Sequence, residues 1–441
     1  MRKIVLLVSM FAIAANMMAA DHVMAATKRA PKQEVPATLN LSLQEAQDYA
    51  VAQNRSLKNA DLAVQKAYAT RWQTIASMLP SVDMSWAYQS MMGYKMNFGG
   101  MPIEMPDNGT LGITASVGIN GQAIVGALLN NTAIEMQKLN LEISEDNLRA
   151  SVKSSYASVL VLEDVVKLLD SSLKNIENLA AMTQRSVEVG AAEQTTADQI
   201  LVRVNTLKNN INANKRSTQL AINALKVLLN VPAETELTLT TQLSDMMSAE
   251  AIVALLGKDF VLENNLSYQT LAKNVELAKK NVHMAGWAYG PTIGVGYQYS
   301  EKDYFGKKEG FNMTPPNALS IQVSMPLWSS GKRAAGVVEK KIALEEARNT
   351  FEETADNLGI QNEQLRYNLQ NAYETYTNEQ ENMSVTQRVF DNTSRKFQQG
   401  VASNLDLVNA SNDLITAQST YVQAVLTLVN AEVELEKFLN L

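Results

Sequence analysis

Shifted by 211 positions, this sequence falls on itself. Asn54 meets Asn265, Ser56 meets Ser267, Val64 meets Val275, Ala67 meets Ala278 and Pro80 meets Pro291. After each proline the same alternation follows, with Val82, Met84, Trp86 and Tyr88 landing on Ile293, Val295, Tyr297 and Tyr299. A shift of 210 carries the match onward, pairing Arg185 with Arg395, Gly190 with Gly400, Ala221 with Ala431 and Asn230 with Asn440. A chain written as two copies must adopt a fold in which one unit packs twice, so the repeat constrains the architecture before any single element does. The unit reads helix, strand, loop, strand, long helix, turn, return helix. The first repeat covers 27–230, with a helix over 42–79, strands over 81–90 and 110–120, a long helix over 122–189 and a return helix over 195–229. A linker over 231–258 follows, with the short strand-like Leu237–Leu239 echoing Thr38–Leu41. The second repeat covers 259–441, with a helix over 262–289, strands over 292–300 and 317–327, a long helix over 331–399 and a return helix over 403–440.

The long helices dominate. From Gln122 to Val189 and from Lys332 to Gln399 there is no proline, and the only glycines are Gly126, Gly336 and Gly359. At 1.5 Å per residue each stretch makes a helix of about 100 Å. Val159, Leu162, Val166, Leu169, Leu173, Ile176 and Ala180 step by three and four along the first, a heptad seam. The return helices carry seams in one phase, Ala197–Ile200–Val204–Leu207–Ile211 in the first copy and Leu407–Ala410–Leu414–Ala417–Tyr421 in the second. Small residues on these seams let antiparallel helices approach closely, so each long helix and its return form a packed hairpin. If Tyr156 corresponds to Tyr373, the second copy is one heptad shorter between that tyrosine and its glycine.

The strands have one apolar and one polar face. Val82, Met84, Trp86 and Tyr88 alternate with Ser81, Asp83, Ser85 and Gln89, the period of a half-solvated strand. Pro80 and Pro291 end the preceding helices, because proline lacks the N–H and biases its predecessor toward extended backbone. Glycine- and proline-containing loops, Met91–Gly109 and Glu301–Pro316, lead to second alternating strands. Those place Leu111, Ile113, Ala115, Val117 and Ile119, then Leu319, Ile321, Val323, Met325 and Leu327, on one face.

The N-terminus reads as a secretory signal peptide over 1–26, with Arg2 and Lys3, an apolar run from Ile4 to Ile13, and small residues at Ala19–Ala20 and Ala25–Ala26. No later apolar run suffices for a transmembrane helix, so a membrane crossing has to be made with strands. The formal charge is −7, and removal of the leader leaves about −8, a poor match to nucleic acid. The chain has no cysteine and only His22 and His283, which leaves no disulfide, thiolate site or histidine metal centre. There is no nucleophile elbow, phosphate loop or histidine partner for a catalytic serine, so no catalytic residue, metal or cofactor is assigned. Paired acids such as Glu345–Glu346 read as solvated helix faces.

Four strands of roughly ten residues match a tilted bilayer crossing. Four strands cannot close, however, and an open edge in hydrocarbon leaves backbone N–H and C=O groups unpaired. About eight strands is the practical minimum, so several chains must share a barrel. The expected fold is mixed: a long α-helical coiled-coil barrel plus a transmembrane β-barrel shared between chains. Trp86, Tyr88, Tyr297 and Tyr299 lie toward the outer loops, as membrane-interface aromatics would.

The duplicated layout resembles the TolC-like outer-membrane efflux protein family, down to the G-x-x-S-x-x-D turn of Gly400, Ser403 and Asp406 and the S-M-P-L-W junction at Ser324–Trp328. The resemblance implies a homotrimer with a twelve-stranded barrel in the outer-membrane lipid and a helical tunnel in the periplasm. It also implies a periplasmic adaptor protein as partner and, through it, an inner-membrane pump. The family places acids six and nine residues after the glycine at the tunnel entrance. Here those positions are Asp406 and Asn409, a ring of half the charge. The turns Val189–Gly190–Ala191 and Gln399–Gly400–Val401 become the adaptor-docking tips. The first copy departs from the pattern, with Gly118–Ile119–Asn120 in place of the proline junction and Thr196 in place of Asp406.

Each of these residues also has a plainer role. Ser403 and Asp406 fit a capping box, as do Thr195 and Asp198. Gly190 and Gly400 terminate helices, and Arg185 and Arg395 complement the helix C-termini. Taken together, the sequence reads as an outer-membrane exit duct of a tripartite efflux or type I secretion system. The alternative is a secreted coiled-coil structural or filament protein, which the matched two-faced strands argue against.

Overall fold

A computed structural model describes residues 37–104, 106–190, 192–305 and 315–441. The signal-peptide segment 1–26, Ala191 of the first turn, and residues 306–314 of the second long loop lie outside them. In chain order the elements are β1 (Thr38–Leu41), α1 (Leu43–Gln53), α2 (Arg55–Ala76), β2 (Ser81–Gln89), β3 (Lys95–Phe98), β4 (Met101–Glu104), β5 (Asn108–Asn120), α3 (Gly121–Glu188) and α4 (Gln194–Leu229). Then come β6 (Glu236–Leu239), α5 (Leu243–Met246), α6 (Ala249–Leu256), α7 (Leu266–Gly286), β7 (Thr292–Tyr304), β8 (Asn317–Ser324), α8 (Lys332–Gln398) and α9 (Asn404–Phe438). No described helix is long and apolar enough to cross a membrane.

The chain divides into two compact units. One is formed by Leu62–Lys138 and Thr270–Glu352 and carries the antiparallel strands β2–β5, β7 and β8; the other is formed by Leu139–Gln269 and Glu353–Leu441 with the segment up to Asp61.

In the second unit, α3 and α4 pack with α8 and α9. Leu169, Ile176, Ile200, Val204, Leu207, Phe390, Leu407, Ala410 and Leu414 form one buried cluster shared by these four helices. The parallel pair β1–β6, in register from Thr38–Glu236 to Leu41–Leu239, lies against a second cluster. Tyr156 pins that pair to α3: its buried hydroxyl donates to the Leu41 carbonyl at 2.9 Å and accepts from the Thr241 N–H at 3.1 Å.

The helix expected over 42–79 is two helices. Asn54 breaks it, with extended backbone (φ −61°, ψ 130°). Its Oδ1 accepts from Ser56 and Leu57 N–H, at 2.8 and 3.2 Å, which starts α2. Its Nδ2 donates to the Leu228 carbonyl at 2.9 Å, near the end of α4. Asn265 repeats this before α7, accepting from Ser267 and Tyr268 and donating to Phe438 at 3.1 Å. The returning ends answer: Asn230 and Asn440, in left-handed backbone at φ 56° and 55°, donate to the carbonyls of Gln53 and Asn264. A side chain that serves both as cap and as tie outcompetes two more helical hydrogen bonds.

The pairing of Tyr156 with Tyr373 does not hold. Helices α3 and α8 have 68 and 67 residues, so no heptad is missing. The counterpart of Tyr156 is Arg366, whose guanidinium donates to the Leu256 and Lys258 carbonyls at the end of α6. Both residues hold a connecting segment onto a long helix, one with a phenol and the other with a guanidinium. The linker 231–258 itself holds β6, α5 and α6.

Candidate functional site

In the first unit, four strands form one antiparallel sheet in the order β2–β5–β7–β8. Ser81–Gln89 pair with Ser116–Asn108, Asn108–Asn120 with Tyr304–Thr292, and Thr292–Tyr299 with Ser324–Asn317. β2 and β8 are its edges. One face carries Val82, Met84 and Trp86 with Leu319, Ile321 and Val323, all exposed, Met84 and Ile321 at 64% and 70%. The opposite face is mostly hydroxyl, amide, alanine and glycine, with Asp83, Lys302 and Tyr304 among them; across it the Ser81 and Ser116 hydroxyls meet at 3.2 Å.

Strand ends differ from expectation. β7 continues four residues beyond 300 to Tyr304, because β5 pairs with it along its whole length. Tyr297 and Tyr299 therefore sit in mid-strand, registered with Ala115 and Ile113. β8 stops at Ser324, ahead of Pro326, and Leu327 and Trp328 are exposed coil. The first junction needs no linker: β5 passes directly into α3, and Asn120 Oδ1 caps it by accepting from Ala123 N–H at 2.7 Å. Gly121 is required there, since a Cβ would stand 2.1 Å from the Trp287 indole.

The loop Met91–Gly109 contains the unforeseen hairpin β3–β4. Asp107 anchors its base, accepting from the Tyr88 and Ser90 hydroxyls at 2.9 and 2.7 Å and from Met91 N–H at 3.2 Å. Its signal was the turn string Pro106–Asp107–Asn108–Gly109, a composition that places a hydrogen-bonding acid in a turn. Phe305 packs beside Tyr88, with ring centroids 5.8 Å apart, and over Gly109, so the loop end of this face holds Trp86, Tyr88 and Phe305.

In the second unit the two interhelical turns share the four-helix core. Gly400, at φ +73°, donates its N–H to Phe397 C=O at 2.9 Å, and Val401 donates to Lys396 at 2.8 Å, which together make a Schellman closure. Gly190, at φ +75°, donates to Val187 at 2.9 Å. Val189 and Val401 project from these turns at 78% and 73% exposure, and Gln399 is exposed as well. Arg395 donates to the Asp391 carbonyl and to Asn392, within its own last turns.

Ser403 and Asp406 form a reciprocal capping box. The Ser403 hydroxyl, and after it the Ser403 backbone N–H, hold the exposed Asp406 carboxyl below its ordinary range. Asn409 is exposed one turn further along α9. The first copy has no such box. Its N-cap is Glu193, without a side-chain cap bond; Thr195 donates to Glu193, and Asp198 accepts from Gln194. The reason is one of phase: α4 begins at Gln194, which puts Thr195 inside the helix. Beside the turns, Gln199, Val202 and Arg203 of α4 and Leu405 and Val408 of α9 line an open groove. Val202 and Leu405 fall off the heptad seam, and their exposed apolar character was the only sequence signal for this groove.

Antiparallel long-helix hairpins joined to an open-edged, two-faced sheet are the fold of outer-membrane channels. The chain superimposes on CusC with a TM-score of 0.75, 16% identity, and coverage of 93% of this chain and 99% of that one. It superimposes on the outer membrane protein VceC of Vibrio cholerae with a TM-score of 0.73 and 15% identity, covering 90% of this chain and 95% of that one. The outer membrane efflux protein family model matches residues 47–231 and again 259–441, and the chain belongs to that family. Among its relatives is the probable efflux pump outer membrane protein TtgC of Pseudomonas putida, 23% identical over 430 residues, 90% of this chain and 83% of the relative. Another is the outer membrane efflux protein BepC of Brucella suis, 23% identical over 297 residues, 66% of this chain and 63% of the relative. The protein is an outer-membrane efflux channel component, and the filament reading is set aside.

Proposed function

We propose that three copies of this chain close a twelve-stranded barrel in the outer membrane and form a passive duct, without chemistry of its own, for a tripartite pump. The observation that carries this is the sheet with two unpaired edges and one exposed apolar face. In hydrocarbon those edges require partners, and further copies supply them. The stagger of the repeats favours closure. Val82 is registered through Ala115 with Tyr297, four residues beyond its repeat counterpart Ile293. Ile113 is registered through Tyr299 with Asn317, again four from its counterpart Ile321. Equivalent depths thus climb along the register, the shear that tilted, closed strands need. On that tilt Tyr297 and Tyr299 share the depth of Trp86 and Tyr88 and join them at the membrane interface.

The turns at 189–191 and 399–401 dock a periplasmic adaptor, which links the duct to an inner-membrane pump, and Asp406 with Asn409 lines the entrance. Relatives are named for toluene, antibiotic, and toxin and drug export. That spread on a common channel fold supports a reading in which substrate choice resides in the pump. The test is the mass of the detergent-extracted assembly, followed by bilayer conductance. Three chain masses and a conducting pore are expected; a soluble monomer would overturn the reading. For the entrance, Asp406→Ala should raise conductance and weaken block by multivalent cations, and no change in either rules out a gate there.

A further inference from the structure

We propose that Asp83 sets the charge preference of the barrel lumen, favouring cationic over anionic solutes at membrane depth. The inference rests on the barrel reading above. With Val82, Met84 and Trp86 on the lipid face, alternation turns Ser81, Asp83 and Ser85 to the lumen. The contact between Ser81 and Ser116 shows that this face is continuous with the polar face of β5.

Along the described strands, the other lumen-face positions are serine, threonine, asparagine, glutamine, alanine or glycine, except for Lys302 and Tyr304 near the loop end of β7. Asp83 is registered with Thr114 and through it with Gln298. Lys302 lies four residues past Gln298, about 13 Å along the strand. That exceeds the screening length of about 8 Å at physiological salt, so the ammonium does not cancel the carboxylate. The Lys302 ammonium also sits 5.4 Å from the Tyr304 ring centroid, held toward the outer end.

The repeat counterpart of Asp83 is Gly294, so each chain contributes one carboxylate to this level. Small neutral neighbours leave that charge unopposed. Low-dielectric walls focus its field into the pore and raise the local concentration of cations.

The chain has no cysteine, so one introduced thiol is a unique label. Purified full-length Asp83→Cys and Val82→Cys are incorporated in planar bilayers under a KCl gradient, beside wild type, Asp83→Asn and Asp406→Asn. Cationic (trimethylammonium) and anionic (sulfonate) methanethiosulfonate reagents are then added. Asp83→Asn should lower the K⁺/Cl⁻ permeability ratio by about twofold or more. On Asp83→Cys the cationic adduct should lower the ratio further and the anionic adduct restore it, while Val82→Cys stays unlabelled. Asp83→Asn with a wild-type ratio, also in the Asp406→Asn background that removes the entrance carboxylate, would overturn the proposal. Equal labelling at 82 and 83 would overturn the face assignment and the proposal with it. A wild-type protein that assembles no pore would sink the duct reading itself, which separates the two failures.

Discussion

Asn54 and Asn265 show how much one side chain can carry. Each ends one segment, caps the next helix and ties down a returning helix end, and each is nearly buried, at 9% and 6% exposure. Asn54→Ala strands the Leu228 carbonyl and two helix N–H groups; a loss of about 2 kcal/mol is expected in denaturant unfolding, and a change within error would refute the tie. Glu276 gives a pH-dependent case. Hydrogen bonds from Lys280, then Lys273, pull its carboxyl down to about 2. A depressed carboxylate contributes stability that is complete above its unfolded value near 4.5 and is lost as pH falls through about 2. Its side chain is 38% exposed, so solvent screens the network and about 1 kcal/mol is its ceiling. The gap in melting temperature between wild type and Glu276→Gln should be constant at neutral pH, narrow below pH 5 and vanish only below about pH 2.

At the scale of elements, α3 and α9 are joined by a buried charge cluster. Lys153 Nζ lies 2.9 Å from Glu432 and 2.7 Å from Glu436, with Lys153 and Glu432 at 13% and 7% side-chain exposure. Burial opposes the Lys153 ammonium, but two carboxylates outweigh it and raise its pKa above the ordinary lysine value. Lys153→Met abandons a buried carboxylate whose second oxygen already lacks a hydrogen bond. It should cost about 3 kcal/mol or more, and Lys153→Met with Glu432→Leu should recover most of that, as apolar replacements of buried pairs do. Equal losses in the single and double variants would mean that the cluster matters by volume and not by charge. The turns belong to this scale too. If they dock an adaptor, Val189→Asp with Val401→Asp should abolish complementation in an efflux-deficient strain while assembly mass is unchanged. Retained export would remove the turns from the interface.

At the scale of the molecule, the sheet of one chain is an incomplete object. Its edge strands β2 and β8 present backbone groups along one side each, and one of its faces is apolar and exposed from Val82 to Trp86. Dissociation and loss of the strand signal in circular dichroism should therefore coincide on heating, whereas helix signal can survive. Separate transitions, with strand signal persisting in a monomer, would show that one chain's sheet is self-sufficient.

Much of this was legible in the sequence, and for identifiable reasons. Proline-free heptads specify long helices, and period-two strands after Pro80 and Pro291 specify two-faced walls. The Gly400–Ser403–Asp406 spacing specifies a turn and cap, because φ > 0 and an N3 acid are local requirements. What local pattern could not decide was set by partners distant in the chain. Asn54 breaks a helix where its amide, besides capping α2, finds the distant Leu228 carbonyl. Gly121 must be glycine because Trp287 lies against it, and β7 runs to Tyr304 because β5 is there to pair. Thr195 and Asp198 had the spacing of a cap but not the phase, which the start of α4 determined. Covalent order and side-chain periodicity determine which elements form. Where they begin, break and end is settled by backbone groups that find their hydrogen-bond partners only in the folded chain.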